Sequence, residues 1–105
     1  MTESEIQRDI LSYLKTCPHV HVWRSNAGRV QKNVVLAPKG APDIIGYVDH
    51  HKYLGTFIGF EVKQPGKKQS EDQFDWECDM QAAGALYYVV HSVEEVRNII
   101  ERIFG

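Results

Sequence analysis

At 105 residues, with 43% hydrophobic and 25% charged content, the chain is sized and composed for one globular domain (residues 1–105) around one modest core. No apolar run approaches the roughly 18 residues of a membrane helix. No charged-then-apolar leader opens the chain, so an intracellular protein without a membrane partner is expected. A net charge of −2 argues against a broadly basic nucleic-acid binder.

The spacing predicts a helix over 3–16, with Ile6, Ile10, Leu11 and Leu14 on one side, Thr2 as N-cap and Pro18 as stop. Residues 19–25 alternate and predict a strand. Residues 26–41 read as a long loop with a short strand at Val34–Leu36. Residues 43–49 and 56–63 predict two strands joined near His50–Gly55, and 64–69 a polar turn. Ser70 and Gln73 have capping-box spacing and open a second helix that Gly84 ends. Residues 85–91 predict a short buried strand. Ser92 caps a last helix striped by Val93, Val96, Ile99, Ile100 and Ile103. The order is α-β-β-β-α-β-α, which buries its stripes best as an α/β fold with a mixed sheet flanked by helices. Cys17 and Cys78 are too few and too far apart for a disulfide framework or a zinc site, and are expected as buried small hydrophobes.

The most specific pattern is Pro42-Asp43 followed by Glu61-Val62-Lys63. A hairpin centred on Lys52 sets Asp43 opposite Glu61, and opposed side chains have Cβ atoms roughly 4.5–5.5 Å apart. Lys63 lies two beyond Glu61 on the same face, while Val62 points into the core. Two carboxylates that close repel, and burial raises the cost of ionising both. Mg²⁺ removes the conflict, since it takes carboxylate and carbonyl oxygens and keeps waters that a phosphate can displace. An ordinary cross-strand ion pair on a solvated face is the alternative. Pro42 suits a first strand position, and Gly40 a close backbone entry.

Two helical residues extend the pattern. Glu3 falls within the apolar arc of the first helix with Gln7 at its edge, while Glu5 lies nearly opposite and should face water. A carboxylate at the open end of a buried stripe needs a partner, although a first-turn acid also suits the helix dipole. Gln73 shares a stripe with Trp76, Met80 and Gly84, and its capping role is the simpler reading. On the first strand Arg24 and Asn26 continue the face of Val20 and Val22 beyond the core. Arg24, Arg29, Lys32 and Lys39 form one basic stretch and Lys63, Lys67 and Lys68 another. A locally basic surface can bind phosphate on a chain of negative sum, although solvated loop cations look the same. His19 and His21 have the spacing of a zinc pair but no evident third ligand. His50 and His51 read as solvated turn residues.

Taken in order, these residues resemble the PD-(D/E)XK nuclease superfamily, whose core is α-β-β-β-α-β, and more narrowly the stand-alone VRR-NUC (virus-type replication-repair nuclease) domains. The resemblance rests on Glu3-x-x-Ile6-Gln7, Arg24-x-Asn26, Lys39-Gly40-x-Pro42-Asp43, Glu61-Val62-Lys63 and Ser70-x-x-Gln73, and covers almost the whole chain. It implies a restriction-endonuclease-like core with an extra C-terminal helix, and Mg²⁺- or Mn²⁺-dependent cleavage of DNA. It implies that Asp43, Glu61 and the Val62 carbonyl ligate metal, that Lys63 assists the attacking water, and that Glu3 and Gln73 support the site. It further implies a homodimer acting on branched DNA, as in Holliday-junction resolvases, in the cytoplasm of a bacterial or phage-infected cell. A nuclease for flaps or for a particular duplex sequence, and a silent DNA-binding module on the same scaffold, are the alternatives.

Overall fold

The computed structural model describes residues 1–25 and 38–105. The expected strand at Val34–Leu36, together with Asn26, Arg29 and Lys32, lies outside the described residues. The elements are α1 (Glu3–Leu14), β1 (Val20–Arg24), β2 (Ile44–Val48), β3 (Phe57–Val62), α2 (Glu71–Ala82), β4 (Leu86–Val90) and α3 (Val93–Phe104). This is the expected α-β-β-β-α-β-α order. The sheet order is β1-β2-β3-β4. β1 with β2, and β2 with β3, pair antiparallel, while β3 and β4 pair parallel. The parallel pair needs a crossover, which α2 supplies.

Local chemistry sets the helix starts. The Thr2 hydroxyl accepts from the Glu5 amide (3.2 Å), and the Glu5 carboxylate accepts from the Thr2 amide (3.0 Å). Glu5, expected to face water, does so while closing a capping box, and those hydrogen bonds lower its pKa. Ser70 and Gln73 form the second box as read, and Ser92 caps α3.

One sheet face carries the core. Val20, Ile44, Val48, Ile58, Phe60, Val62 and Val90 pack there against Ile6, Ile10 and Leu14 of α1 and Val96, Ile99 and Ile100 of α3. Burying one such side chain fully is worth about 1.5–3 kcal/mol, so this face dominates the fold's stability. α2 covers only part of the other face, and Met80 is its one fully buried residue. A Cβ on Gly59 would meet Pro42 at 2.8 Å and Met80 at 3.1 Å, so a glycine there lets α2 and Pro42 close on β3. The rest of that face leaves Trp23, Tyr47 and Phe57 exposed.

Three expectations need correction. Cys78 is exposed, because α2 turns it away from the sheet, and Cys17 is only partly buried. His50 is buried (8% exposed) rather than a solvated turn residue. Its ring packs on His19, His51 and Phe104, and desolvation lowers its pKa. Pro42 stands two residues before β2 rather than at its first position. Among the described residues no helix is long and apolar enough to cross a membrane.

Candidate active site

The hairpin register brings the acids together. Ile44 pairs with Phe60, Ile45 with Gly59 and Tyr47 with Phe57, a register centred on Lys52. Asp43 and Glu61 occupy the next opposed positions. The Asp43 Oδ2 accepts from the Val62 amide at 2.8 Å, which fixes its carboxylate beside Glu61 and Val62. The Ser25 amide donates to the Asp43 carbonyl (2.9 Å), so β1 holds the same segment from the other side. The Lys63 amide donates to the Val90 carbonyl (3.0 Å), carrying the extended chain past β3. Strand alternation then puts Glu61 and the half-buried Lys63 on one face, with Val62 fully buried on the other.

The approach to Asp43 depends on Gly40. Its φ is +88°, and a Cβ would sit 2.7 Å from Asp72 Cβ and 2.8 Å from the Asp72 backbone. No other residue adopts that backbone so cheaply. The Lys39 carbonyl accepts from Trp76 Nε1 (3.2 Å), so the turn before Asp43 is pinned to α2.

Glu61 is the electrostatic centre. It is 1% exposed. Burial first, then the neighbouring Asp43 carboxylate, push its pKa up to about 9, against a partial pull down from Lys63. The charge of Glu3, at the start of α1, raises it slightly further. Gln64 Nε2 donates to the Met1 carbonyl (2.8 Å) and ties that end of α1 to the segment after Lys63. Gln73 serves two purposes that the sequence offered as alternatives. Its Oε1 accepts from the Ser70 amide (2.8 Å) to close the capping box, and its Nε2 donates to Glu61 Oε1 (2.9 Å). The other oxygen, Glu61 Oε2, is buried with no hydrogen-bond partner among the described residues.

A buried carboxylate oxygen without a donor, next to a second carboxylate, fits a cation. Two carboxylates with a backbone carbonyl to hand are hard oxygen donors, the chemistry of Mg²⁺ or Mn²⁺ rather than of zinc. Among the described residues no group of three or more His, Cys, Asp and Glu side chains could hold a metal by itself. His19 and His21 are engaged separately. His19 Nδ1 lies 3.0 Å from the Asp49 carbonyl, and His21 stacks on Tyr47.

The cations are less concentrated than the acids. Arg24 pairs with Ile44 at the Asp43 end of β1, but leaves from the core-facing side of the sheet, with its Nε buried and without a hydrogen-bond partner among the described residues. Lys39 is ion-paired with Asp72 at 3.4 Å. Lys67 and Lys68 are exposed and border a hollow with Ser70, Glu71 and Phe74. Phe74, 53% exposed beside those lysines, went unmarked in the sequence. So did Tyr87, 3% exposed, whose pKa burial and then Glu61 raise. The only signal for it was strand alternation along 85–91, which puts the odd positions on one face.

No family model matches the chain, and no curated protein matches it. Two solved structures share its fold. One, described as a VRR_NUC domain, superposes with a TM-score of 0.69 at 22% identity, covering 94% of each chain. The other, a VRR_NUC domain protein, gives 0.68 at 20% identity over 96% of this chain and 86% of its own. With its mixed four-stranded sheet and three helices in the order described, the chain has the fold of a VRR_NUC domain, a restriction-endonuclease-like core followed by one more helix.

Proposed function

We propose that this chain is a Mg²⁺- or Mn²⁺-dependent endodeoxyribonuclease of the PD-(D/E)XK type that hydrolyses phosphodiester bonds in branched DNA such as Holliday junctions. The observation that carries the reading is a fully buried Glu61, one of whose oxygens has no hydrogen-bond partner among the described residues, set against Asp43, with Lys63 on the same face. Asp43, Glu61 and the Val62 carbonyl would hold the metal. When bound, the ion supplies a Lewis acid for the phosphoryl oxygen and lowers the pKa of a water nucleophile.

The chain's own residues do the rest. Lys63 orients the attacking water and counters the charge that builds on the phosphorane oxygens. Gln73 holds the Glu61 carboxylate from α2, and Glu3 adds a further negative charge at the mouth. Lys67 and Lys68 meet backbone phosphates beside the site, with Phe74 as a platform for an unpaired base. Lys39 and Arg24, with Asn26, Arg29 and Lys32 of the sequence between them, are assigned to the same DNA contact. A homodimer presents two such sites to a two-fold substrate. The exposed aromatic side chains Trp23, Tyr47 and Phe57, which share one sheet face, are the apolar surface assigned to a second copy.

The test is digestion of end-labelled four-way junction, flap and linear duplex with Mg²⁺ or Mn²⁺. Paired symmetric nicks in the junction, made by a species of twice the chain mass, are expected. Preferential cutting of the flap or the duplex would replace the junction assignment while keeping the chemistry. Junction binding without cleavage of any substrate would refute the enzyme and leave a silent binding module.

A further inference from the structure

The Glu61 carboxylate has one oxygen held by Gln73 and one that meets no donor. A second group nearby has the complementary deficiency. The Tyr87 hydroxyl is buried and likewise has no hydrogen-bond partner among the described residues. β3 and β4 run parallel, with Glu61 beside Val89 and Gly59 beside Tyr87. Tyr87 therefore leaves the same sheet face as Glu61, one diagonal step away, in the layer under α2.

Buried phenols and buried carboxylates are rarely left unpaired, because each loses its water without replacement. An orphan acceptor and an orphan donor on the same side of two adjacent strands supply each other's need. We infer that Tyr87 is a positioning residue for Glu61: its hydroxyl donates to the free carboxylate oxygen and, with Gln73 on the other oxygen, fixes the orientation in which Glu61 takes a divalent cation. The inference rests on the metal-site reading given above. The electrostatics agree in direction, since the charges felt at Tyr87 are, after burial, those of Glu61, Glu77 and Asp43. Glu77 is the carboxylate felt at Tyr87 after Glu61, and its Oε1 accepts from Gln69 Nε2 at 3.1 Å. Partners that orient a metal-bound carboxylate typically change metal affinity 10–100-fold when removed.

The decisive experiment needs no DNA. Mn²⁺ is titrated calorimetrically into the wild-type protein, Tyr87→Phe and Tyr88→Phe, and each is melted in EDTA. Tyr88 lies on the opposite face, its ring stacked on Phe60, and serves as the matched control. Tyr87→Phe is expected to bind Mn²⁺ about tenfold more weakly. Its Tm in EDTA should fall by no more than the few degrees that one hydrogen bond is worth, so that the lost affinity is not unfolding. Tyr88→Phe should bind as the wild type does. A Tyr87→Phe affinity within twofold of wild type overturns the inference, whatever its Tm, as does an equal loss in Tyr88→Phe or a wild type with no Mn²⁺ affinity. A wild type that binds Mn²⁺ yet cleaves no DNA would refute the nuclease reading and leave the role of Tyr87 standing.

Discussion

Replacing Glu61 with Gln should stabilise the metal-free protein, and by an amount that depends on pH. In the folded state the Glu61 carboxyl titrates at about 9, against 4.5 for the group in water. Between those values the folded chain keeps a proton that the unfolded chain has released. Stability therefore falls as pH rises through this window, by about 1.4 kcal/mol per unit. At pH 7 the accumulated cost is about 3 kcal/mol, an upper figure because surrounding groups relax. Glutamine keeps the acceptor that Gln73 Nε2 uses (2.9 Å) and turns N–H donors toward Asp43. It removes the cost without opening a cavity. For a chain of this length 1 kcal/mol moves Tm by roughly 4–8 °C, so a gain of up to about 12–24 °C at pH 7 is expected. Thermal unfolding in EDTA from pH 4.5 to pH 9 is the assay. The gain should vanish near the acid end and grow toward the alkaline end. Adding Mg²⁺ should stabilise the wild type and not the variant. A Glu61→Gln protein less stable than wild type at pH 8, or an advantage independent of pH, would refute the reasoning.

Other expectations follow from the same geometry. Asp43→Asn keeps an acceptor for the Val62 amide and loses the charge, so cleavage should disappear with folding and junction binding intact. Asp43→Ala should also lose about 1–3 kcal/mol of stability by leaving that amide unpaired, which urea denaturation would show. Lys63→Ala should abolish cleavage without loosening DNA binding; turnover at the wild-type rate would remove it from the chemistry. Gly40→Ala combines a left-handed backbone with a Cβ 2.7 Å from Asp72, and should cost about 2–4 kcal/mol in denaturant midpoint analysis. Gln73→Ala removes a helix cap and one Glu61 partner together. About 1–2 kcal/mol of stability and part of the cleavage rate should go; full activity would leave Gln73 as a cap alone.

Much of this geometry was legible because it is local or periodic. A register slip of one residue would turn Ile44, Ile58 and Phe60 out of the core, so the apolar strands fix the hairpin, and the hairpin places Asp43 against Glu61. The caps at Ser70 and Ser92 are likewise written within four residues. Thr2 and Glu5 carry the same signal, and the helical wheel that set Glu5 in water overlooked it. What escaped depends on contacts distant in sequence. His50 is buried by His19 and Phe104, which no local pattern around residues 49–55 announces. Cys78 is exposed because α2 buries only Met80 fully, a weak stripe that reads poorly as a wheel. Tyr87 gained its place beside Glu61 from the parallel pairing of β4 with β3, and a crossover register leaves no trace in either strand alone. The Gln73 side chain makes both contacts that the sequence raised, the cap at Ser70 and a hydrogen bond to Glu61.

The central claim is that Asp43, Glu61 and the Val62 carbonyl converge on one divalent ion. Crystals soaked in Mn²⁺, with anomalous data collected at the manganese edge, test it directly. The account predicts a single strong peak within coordination distance of both carboxylates and of the Val62 oxygen, with the Lys63 ammonium on the same side of the sheet. No peak there, with the two carboxylates turned apart, would contradict it.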